Sequence, residues 1–414
     1  MNQPEALALA TLAYCCNTAN AIMYALTGIS PSSAAEVRSD ELAQPYSGTP
    51  SALAAEYPAA SAVLLTAGRC AAQKAPRISP QEMVVQLKQL ADDPARLAPV
   101  LNRHIEEIIC THRYKNHDRA IASFKESLSR RAGRMRLING LSAKELWTYF
   151  TQNNEYWIIT PGSSCWPGQL SDLSRITDST PPLCLWGKGD PNALISCDSP
   201  VGIVGSRDCT EYGRSTAFNA ARQAALHGHC IVSGGAMGID ACAHWGALSA
   251  YQDIGDQCGK TVAIFAGGLN TCGPKCNSNL FDTICSHHGA LISELPPDTL
   301  PESFRFLMRN RLIASLSRTL IVAQARHRSG ALNSATWAAD MNRDVYAAPG
   351  DNNKPYNTGC NALIAEGKAT LLLSSTDVSG ICHSAHPRTI AGETGKCMQP
   401  PPVRFGKPLF LRYP

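Results

Sequence analysis

Two glycine-rich turns hold the residues of this chain best suited to chemistry: Gly205-Ser206-Arg207, and Ser233-Gly234-Gly235-Ala236-Met237-Gly238-Ile239-Asp240. Each follows a short apolar run, 201–204 and 230–232, that predicts a buried strand, and each precedes a helix-like stretch. Bare N–H groups at a helix N-terminus attract anions, and an arginine beside them adds a charge-assisted fork for phosphate. Two consecutive strand–turn–helix units of this kind predict one phosphate-reading edge. Arg207 is expected to serve as that fork, with a surface ion pair to Asp208 or Glu211 as the other reading. Asp240, near a helix start, is expected to cap or balance the helix dipole, with His244 four residues on along the same face. A positioning role suits this pair better than acid–base catalysis, because no nucleophile elbow or metal-ligand set accompanies it.

Other clusters of charged and metal-capable residues stand beside the turns. Six arginines (305, 309, 311, 318, 326 and 328) occur from Arg305 to Arg328 without a single acid, which suits either a phosphate-tracking groove or a solvated helix face. Between 113 and 136 there are eight Lys/Arg against Asp118 and Glu126, and a solvated helix face or an accessory nucleic-acid contact both fit. Seventeen cysteines do not follow disulfide or zinc spacing, so they are expected to be reduced thiols acting as small hydrophobes. Cys110 with His104, His112 and His117 fits no common zinc pattern, and no metal is expected. The first turn lacks G-x-G-x-x-G spacing and an acid at a following strand end, which counts against NAD or FAD. Walker spacing before Gly-Lys-Ser/Thr is absent too, so no cofactor is expected.

The elements that must position these residues can be read from periodicity. Over 198–374, apolar runs at 201–204, 230–232, 261–265, 290–292, 320–322, 345–347 and 370–373 alternate with helical stretches such as 215–226, ended by Gly228. Strands apolar on both faces and joined by helices predict an α/β fold: a Rossmann-like, doubly wound, mostly parallel sheet. Ligands of such sheets bind beyond the carboxyl ends of the strands, where both turns sit. Residues 1–150 predict a smaller helical N-terminal domain with loop-rich stretches at 29–60 and 71–81. Its expected helices are 6–26, 82–90 and 100–109, and a capping box at Ser142 and Glu145 opens a fourth. Residues 151–197 form a connecting segment, in which Pro181-Pro182 before an apolar run predicts an edge strand. Residues 375–414 form a Pro-rich tail with no winged helix evident. A net charge of +4 does not by itself argue for nucleic acid. No apolar run reaches about 18 residues and no signal peptide is evident, so a cytoplasmic protein without membrane contact is expected.

An ordered series of blocks extends the two turns. It comprises Val204-Gly205-Ser206-Arg207 with Tyr212-Gly213, the 233–240 turn with Ala243-His244, Gly267-Gly268-Leu269, Pro274 with Asn277, and Ser293-Glu294. It continues through 306–314, Ser329-Gly330, Pro349-Gly350 and Gly359-Cys360-Asn361. In these blocks the chain resembles the DprA (Smf) family, the DNA-processing proteins of bacterial natural transformation, from about Trp166 to Leu373. The resemblance implies an extended Rossmann-like fold and a non-enzymatic protein. Such a protein binds and protects single-stranded DNA, loads the RecA recombinase, and forms a homodimer through this domain. It places phosphate or DNA contacts at Gly205, Ser206, Arg207, Ser233, Gly234, Gly235, Gly238, Gly267, Lys275, Asn277, Arg305, Arg309, Asn310, Arg311, Ser329 and Gly330. Phe304 or Phe306 is a candidate for base stacking, with core packing the plainer expectation for Phe306.

This chain departs from the family at three points: Met237 where a basic or aromatic residue is frequent, Gly273 for a tyrosine, and Gln324 for an acid. Two other functions fit the same edge. Related Rossmann-like proteins hydrolyse nucleotide N-glycosidic bonds with a strand-end glutamate, for which Glu294 is the candidate here, and a small-nucleotide sensor would use the same crevice.

Overall fold

The structure is a computed structural model that describes residues 3–16, 78–93, 117–176 and 179–378. One nine-stranded sheet runs through it in the order β1-β2-β6-β5-β4-β3-β7-β8-β9. The strands are β1 (Trp157–Ile159), β2 (Leu185–Gly189), β3 (Val201–Gly205), β4 (Ile231–Ser233), β5 (Thr261–Ile264), β6 (Ala290–Ser293), β7 (Thr319–Gln324), β8 (Asp344–Ala347) and β9 (Thr370–Leu371). From β6 to β9 every pairing is parallel, while β1–β2 and β2–β6 are antiparallel. This is the mostly parallel, doubly wound sheet that the apolar runs predict. β4, β5, β6 and β7 are buried along their whole length, as strands covered by helices on both faces must be. The edge-strand expectation for the Pro181-Pro182 segment does not hold: β2 bonds to neighbours on both sides, and β1 takes the edge.

Ten α-helices accompany the strands among the described residues, with six short 3-10 helices between them. The α-helices are α1 (Gln3–Cys16), α2 (Pro80–Asp92), α3 (His117–Ile138), α4 (Ala143–Thr151), α5 (Glu211–Leu226), α6 (Ile239–Ile254), α7 (Ser278–Ser286), α8 (Ser303–Leu316), α9 (Gly330–Asp340) and α10 (Thr358–Ala365). α5 and α6, which carry the two turns, pack through alanines: Ala217, Ala220, Ala221, Ala224, Ala243, Ala247 and Ala250 share one core cluster. The approach is so close that a Cβ on Gly246 would lie 2.2 Å from the Phe218 carbonyl oxygen. Small side chains therefore fix the spacing of the two turns.

In the N-terminal region, Ser142 and Glu145 form the expected capping box on α4, and Ser79 caps α2. The core of α1–α4 is continuous with one face of the sheet, through contacts such as Phe150 on Trp186 at 6.1 Å between ring centroids. Three cations of α3 are engaged by neighbouring helices: Arg131 is 4% exposed, Arg134 Nε donates to the Cys15 carbonyl and Arg136 Nε to the Ala91 carbonyl. The helix expected over 100–109, the remainder of 6–26, the loops at 29–60 and 71–77, residues His104, Cys110 and His112, and the tail beyond 378 lie outside the described residues. Among the described residues no helix is long and apolar enough to cross a membrane.

Candidate nucleic-acid interface

The sheet order reverses at β3, whose neighbours are β4 on one side and β7 on the other, and the carboxyl ends of these strands open one crevice. The two glycine turns leave β3 and β4 side by side and pack on each other. Gly238 has φ +78, and a Cβ there would lie 2.4 Å from the carbonyl oxygens of both Ser206 and Arg207. A Cβ on Gly205 would lie 2.5 Å from Ile239 Cγ1, and the Ile239 N–H donates to the Ser206 carbonyl at 3.2 Å. The glycines are thus required both for contact between the turns and for backbone conformation.

The turns differ in what they leave open. The Ser206 N–H donates to the Gln324 carbonyl at 2.8 Å and its hydroxyl to the Asp208 carbonyl at 3.0 Å, so Ser206 is occupied. Ser233 is fully buried, its hydroxyl donating to the Ile203 carbonyl at 2.6 Å. In the second turn the Ala236 N–H reaches Asp240 Oδ2 at 3.4 Å. The N–H groups of Gly234, Gly235, Met237 and Gly238 have no protein acceptor among the described residues. Asn277 braces this turn, donating from Nδ2 to the carbonyls of Gly235 and Ala236 at 3.0 and 3.2 Å.

Arg207 is exposed, and its guanidinium lies 4.8 Å from the Phe306 ring centroid. The ion pair considered for it goes elsewhere: Asp208 binds Arg326 at 3.1 Å, and among the described residues no carboxylate pairs with Arg207. A guanidinium lying on an aromatic face is held in place with its N–H edge free. Phe306 is half-buried beneath it, Lys275 is exposed near the braced turn, and Met237 (48% exposed), Phe304 and Leu307 present apolar surface.

The arginines of α8 do not line a groove as expected. Arg311 is 1% exposed and ion-paired with Glu294 from the end of β6. Arg309 is 6% exposed, donates from Nη1 to the Ile264 carbonyl at 2.8 Å and faces Asp240. Arg305 is 6% exposed, reaching the Leu300 carbonyl at 2.8 Å and Glu302 at 3.3 Å. The segment lacks acids only in sequence: Glu294 at the end of β6 pairs with Arg311, and the Asp240 charge of α6 acts on Arg309. Asn310 and Gly330 do meet, but as partners, the Asn310 amide donating to the Gly330 carbonyl at 3.2 Å and tying α8 to α9. Ser329 caps α9, and Gly267 is buried with its carbonyl accepting from Ser293 at 2.8 Å.

Asp240 and His244 form no dyad. Burial raises the Asp240 pKa, opposed first by the Arg309 charge and then by the Ala236 N–H, Ser233 and Arg207. His244 Nδ1 lies 2.7 Å from Thr261 Oγ1, whose hydroxyl donates to the Ile231 carbonyl. The imidazole must therefore carry its proton on Nδ1, leaving Nε2 bare. Burial, with the Arg309 charge, pulls its pKa down to about 3 and keeps it neutral. Asp240 and Arg309 lie directly behind the second turn: a Cβ on Gly234 would lie 1.8 Å from Arg309 Nη1 and 2.5 Å from Asp240 Oδ2.

Sequence reasoning marked Gln324 only as a departure from an acid and missed what its amide does. It is 1% exposed at the end of β7, where Oε1 accepts from the Thr210 N–H at 2.7 Å. Its Nε2 donates to Thr210 Oγ1 and to Asn357 Oδ1, each at 2.9 Å. The amide joins the N-termini of α5 and α10 to β7, using donors that a carboxylate lacks. The strand-end position was legible, but the network was not. Glu294, the candidate carboxylate for N-glycosidic hydrolysis, is engaged by Arg311 with 11% of its side chain exposed.

The family model of DNA recombination-mediator protein A matches residues 157–382, more than half of the chain. The chain is 38% identical over 198 residues to the DNA processing protein DprA of Bacillus subtilis, covering 48% of this chain and 63% of that protein. It is 39% identical over 197 residues to a putative DprA of Mycobacterium tuberculosis, covering 48% of each. The chain therefore spans less than two thirds of the length of these curated relatives. The crystal structure of DprA from Streptococcus pneumoniae superposes with a TM-score of 0.53 at 29% identity, covering 72% of this chain and 92% of that one. Motif series, sheet order and family match coincide over the same residues, and the chain belongs to the DNA recombination-mediator protein A family.

Proposed function

We propose that the protein binds single-stranded DNA across the mouth of the two glycine turns and delivers it to a RecA-type recombinase, acting as a homodimer. The observation that carries this reading is Arg207: exposed, without a carboxylate partner among the described residues, and held on Phe306 beside the open N–H groups of the second turn. A guanidinium fork and open N–H donors at a helix start are the groups that hold phosphate. The exposed apolar side chains Met237, Phe304 and Leu307 suit unpaired bases, which duplex DNA keeps stacked inside. Affinity then comes from few free cations, Arg207 and Lys275 foremost, since the arginines of α8 are engaged in the fold. Enzymatic N-glycosidic cleavage finds less support, because its carboxylate candidate is ion-paired.

Fluorescence anisotropy of a labelled oligonucleotide across a salt series tests the binding. Wild-type affinity is expected to fall linearly on a log–log plot, with Arg207→Ala weakening it about tenfold and lowering the slope by about 1. Equal weak binding by both proteins without salt dependence refutes the reading, and mononucleotide that displaces the oligonucleotide at equal concentration favours a nucleotide sensor. Recombinase delivery is read as faster RecA filament nucleation on the oligonucleotide, and dimerisation by light scattering.

A further inference from the structure

The mouth of the crevice holds a second arginine mounted like Arg207. In the β3–β7 ladder Gly205 pairs with Gln324, because a bulge gives β7 one extra residue beyond the Val204–Val322 pair. Arg207 and Arg326 each lie two residues past that pair, on adjoining loops at the carboxyl ends of neighbouring strands. The Arg207 guanidinium lies 4.8 Å from the Phe306 ring centroid, and that of Arg326 lies 5.3 Å from the Tyr356 ring centroid. Backbone bonds fix the loop beneath Arg326. The Gly359 N–H donates to the Ala325 carbonyl at 2.8 Å, and the Ser329 N–H to the Arg326 carbonyl at 3.1 Å. The start of α10 packs on the same carbonyl, where a Cβ on Gly359 would lie 2.6 Å from the oxygen.

Asp208 distinguishes the two arginines. It pairs with Arg326 at 3.1 Å, and their side chains are 50% exposed for Arg326 and 90% for Asp208. A pair so open to water is weak, whereas a phosphate matches the guanidinium fork with charge-assisted bonds. Tyr356 keeps the guanidinium in place when the carboxylate leaves. The Asp208 backbone is held separately, its carbonyl accepting from the Ser206 hydroxyl at 3.0 Å, so only the carboxylate has to move.

We propose that Arg326 is a second phosphate-binding residue for the same single strand, and that Asp208 is its displaceable counter-charge. This rests on the single-strand reading above and adds to it a path and a control of affinity. The nucleic-acid backbone runs from the second turn past Arg207 to the β7 side of β3, where the exposed Arg328 follows Arg326 by two residues. Asp208 covers the Arg326 fork until a phosphate replaces it, and the carboxylate then turns to water. The cover also favours a polymer over a mononucleotide. A strand already anchored at Arg207 presents its next phosphates to Arg326 at high effective concentration, whereas a free mononucleotide must displace Asp208 unaided.

The experiment measures oligonucleotide anisotropy across a salt series, with a melting curve for each full-length protein. The proteins are wild type, Arg207→Ala, Arg326→Ala, Asp208→Asn and the double variant Asp208→Asn with Arg326→Ala. Arg326→Ala is expected to weaken binding about fivefold and to lower the log–log salt slope by about 0.7. Asp208→Asn keeps the shape and removes the charge, and is expected to tighten binding about threefold. In the Arg326→Ala background the same change is expected to shift affinity by less than about 1.5-fold, since no fork remains to be covered. A gain from Asp208→Asn that persists undiminished without Arg326 overturns the proposal, because Asp208 then repels the strand directly. Wild-type affinity and slope in Arg326→Ala overturn it too, and if Arg207→Ala still weakens binding the single-strand reading stands. A lower melting temperature of Asp208→Asn with unchanged affinity makes the pair a structural clasp and likewise overturns it. Salt-independent binding by the wild type refutes both readings.

Discussion

Replacing Arg311 by methionine separates a structural role from a DNA-contacting one. Arg311 is 1% exposed, and its partner Glu294 keeps 11% of its side chain in contact with solvent. Removing one member of a buried ion pair leaves an uncompensated charge and costs roughly 3–5 kcal/mol. Residual water at Glu294 relieves part of this, which places Arg311→Met near the lower end, about 3 kcal/mol. For a unit of 150–250 residues this lowers the melting temperature by about 6–12 °C. Arg311 Nε and Nη1 have no acceptor, so the native pair is itself imperfectly satisfied. The double replacement Arg311→Met with Glu294→Leu is therefore expected to recover most of the loss, with a coupling energy of about 2 kcal/mol or more in the cycle. The assay is thermal unfolding of all four proteins, with oligonucleotide anisotropy measured well below the lowest melting temperature. Oligonucleotide affinity of Arg311→Met is expected to stay within about threefold of wild type. Unchanged melting together with a reduced salt slope of binding refutes the reasoning, because Arg311 then meets phosphate rather than Glu294.

Gly234→Ala drives a methyl group onto Arg309 and Asp240, displaces the guanidinium from the Ile264 carbonyl, and is expected to cost about 2 kcal/mol or more, read as a lower melting temperature. His244 is held neutral with its pKa near 3, whereas the unfolded chain protonates near 6.5, so its contribution is complete above about 6.5 and is lost as pH falls toward 3. His244→Gln is expected to flatten the decline of melting temperature between those values, and an unchanged slope counts against the assignment. Gln324→Glu removes both Nε2 donors and sets a buried carboxylate against Asn357 Oδ1, for a loss of about 1–3 kcal/mol. That loss is expected to shrink in acid as the carboxyl protonates, which melting curves at two pH values read directly.

The strands from β3 to β7 were legible because they are covered on both faces and so appear as short, continuous apolar runs. The capping box at Ser142 and Glu145 was legible for a similar reason, since all its partners lie within four residues. The interior place of β2 was not, because Pro181-Pro182 marks only where a strand begins, while its neighbours β1 and β6 are set by the sheet. The roles of Arg305, Arg309 and Arg311 were misread from a segment with no acid nearby in sequence. Glu294 and Asp240 approach α8 from β6 and α6, and no local pattern records that approach. Gln324 shows the same limit: its partners Thr210 and Asn357 lie at the starts of α5 and α10, which only the sheet order brings together.

The sequence by itself determined the two glycine turns, the strands that feed them, and an arginine at the tip of the first, since backbone conformation and strand periodicity are written in neighbouring residues. It also carried the ordered motifs that mark the family. The tertiary structure alone decided which cations remain available. Arg207 rests on Phe306 with its fork free, whereas Arg309 is buried on the Ile264 carbonyl beside Asp240 and Arg311 is ion-paired with Glu294. The physical reason is that burial and charge pairing depend on what folding brings within a few ångströms, and for these side chains the decisive neighbours are remote in sequence.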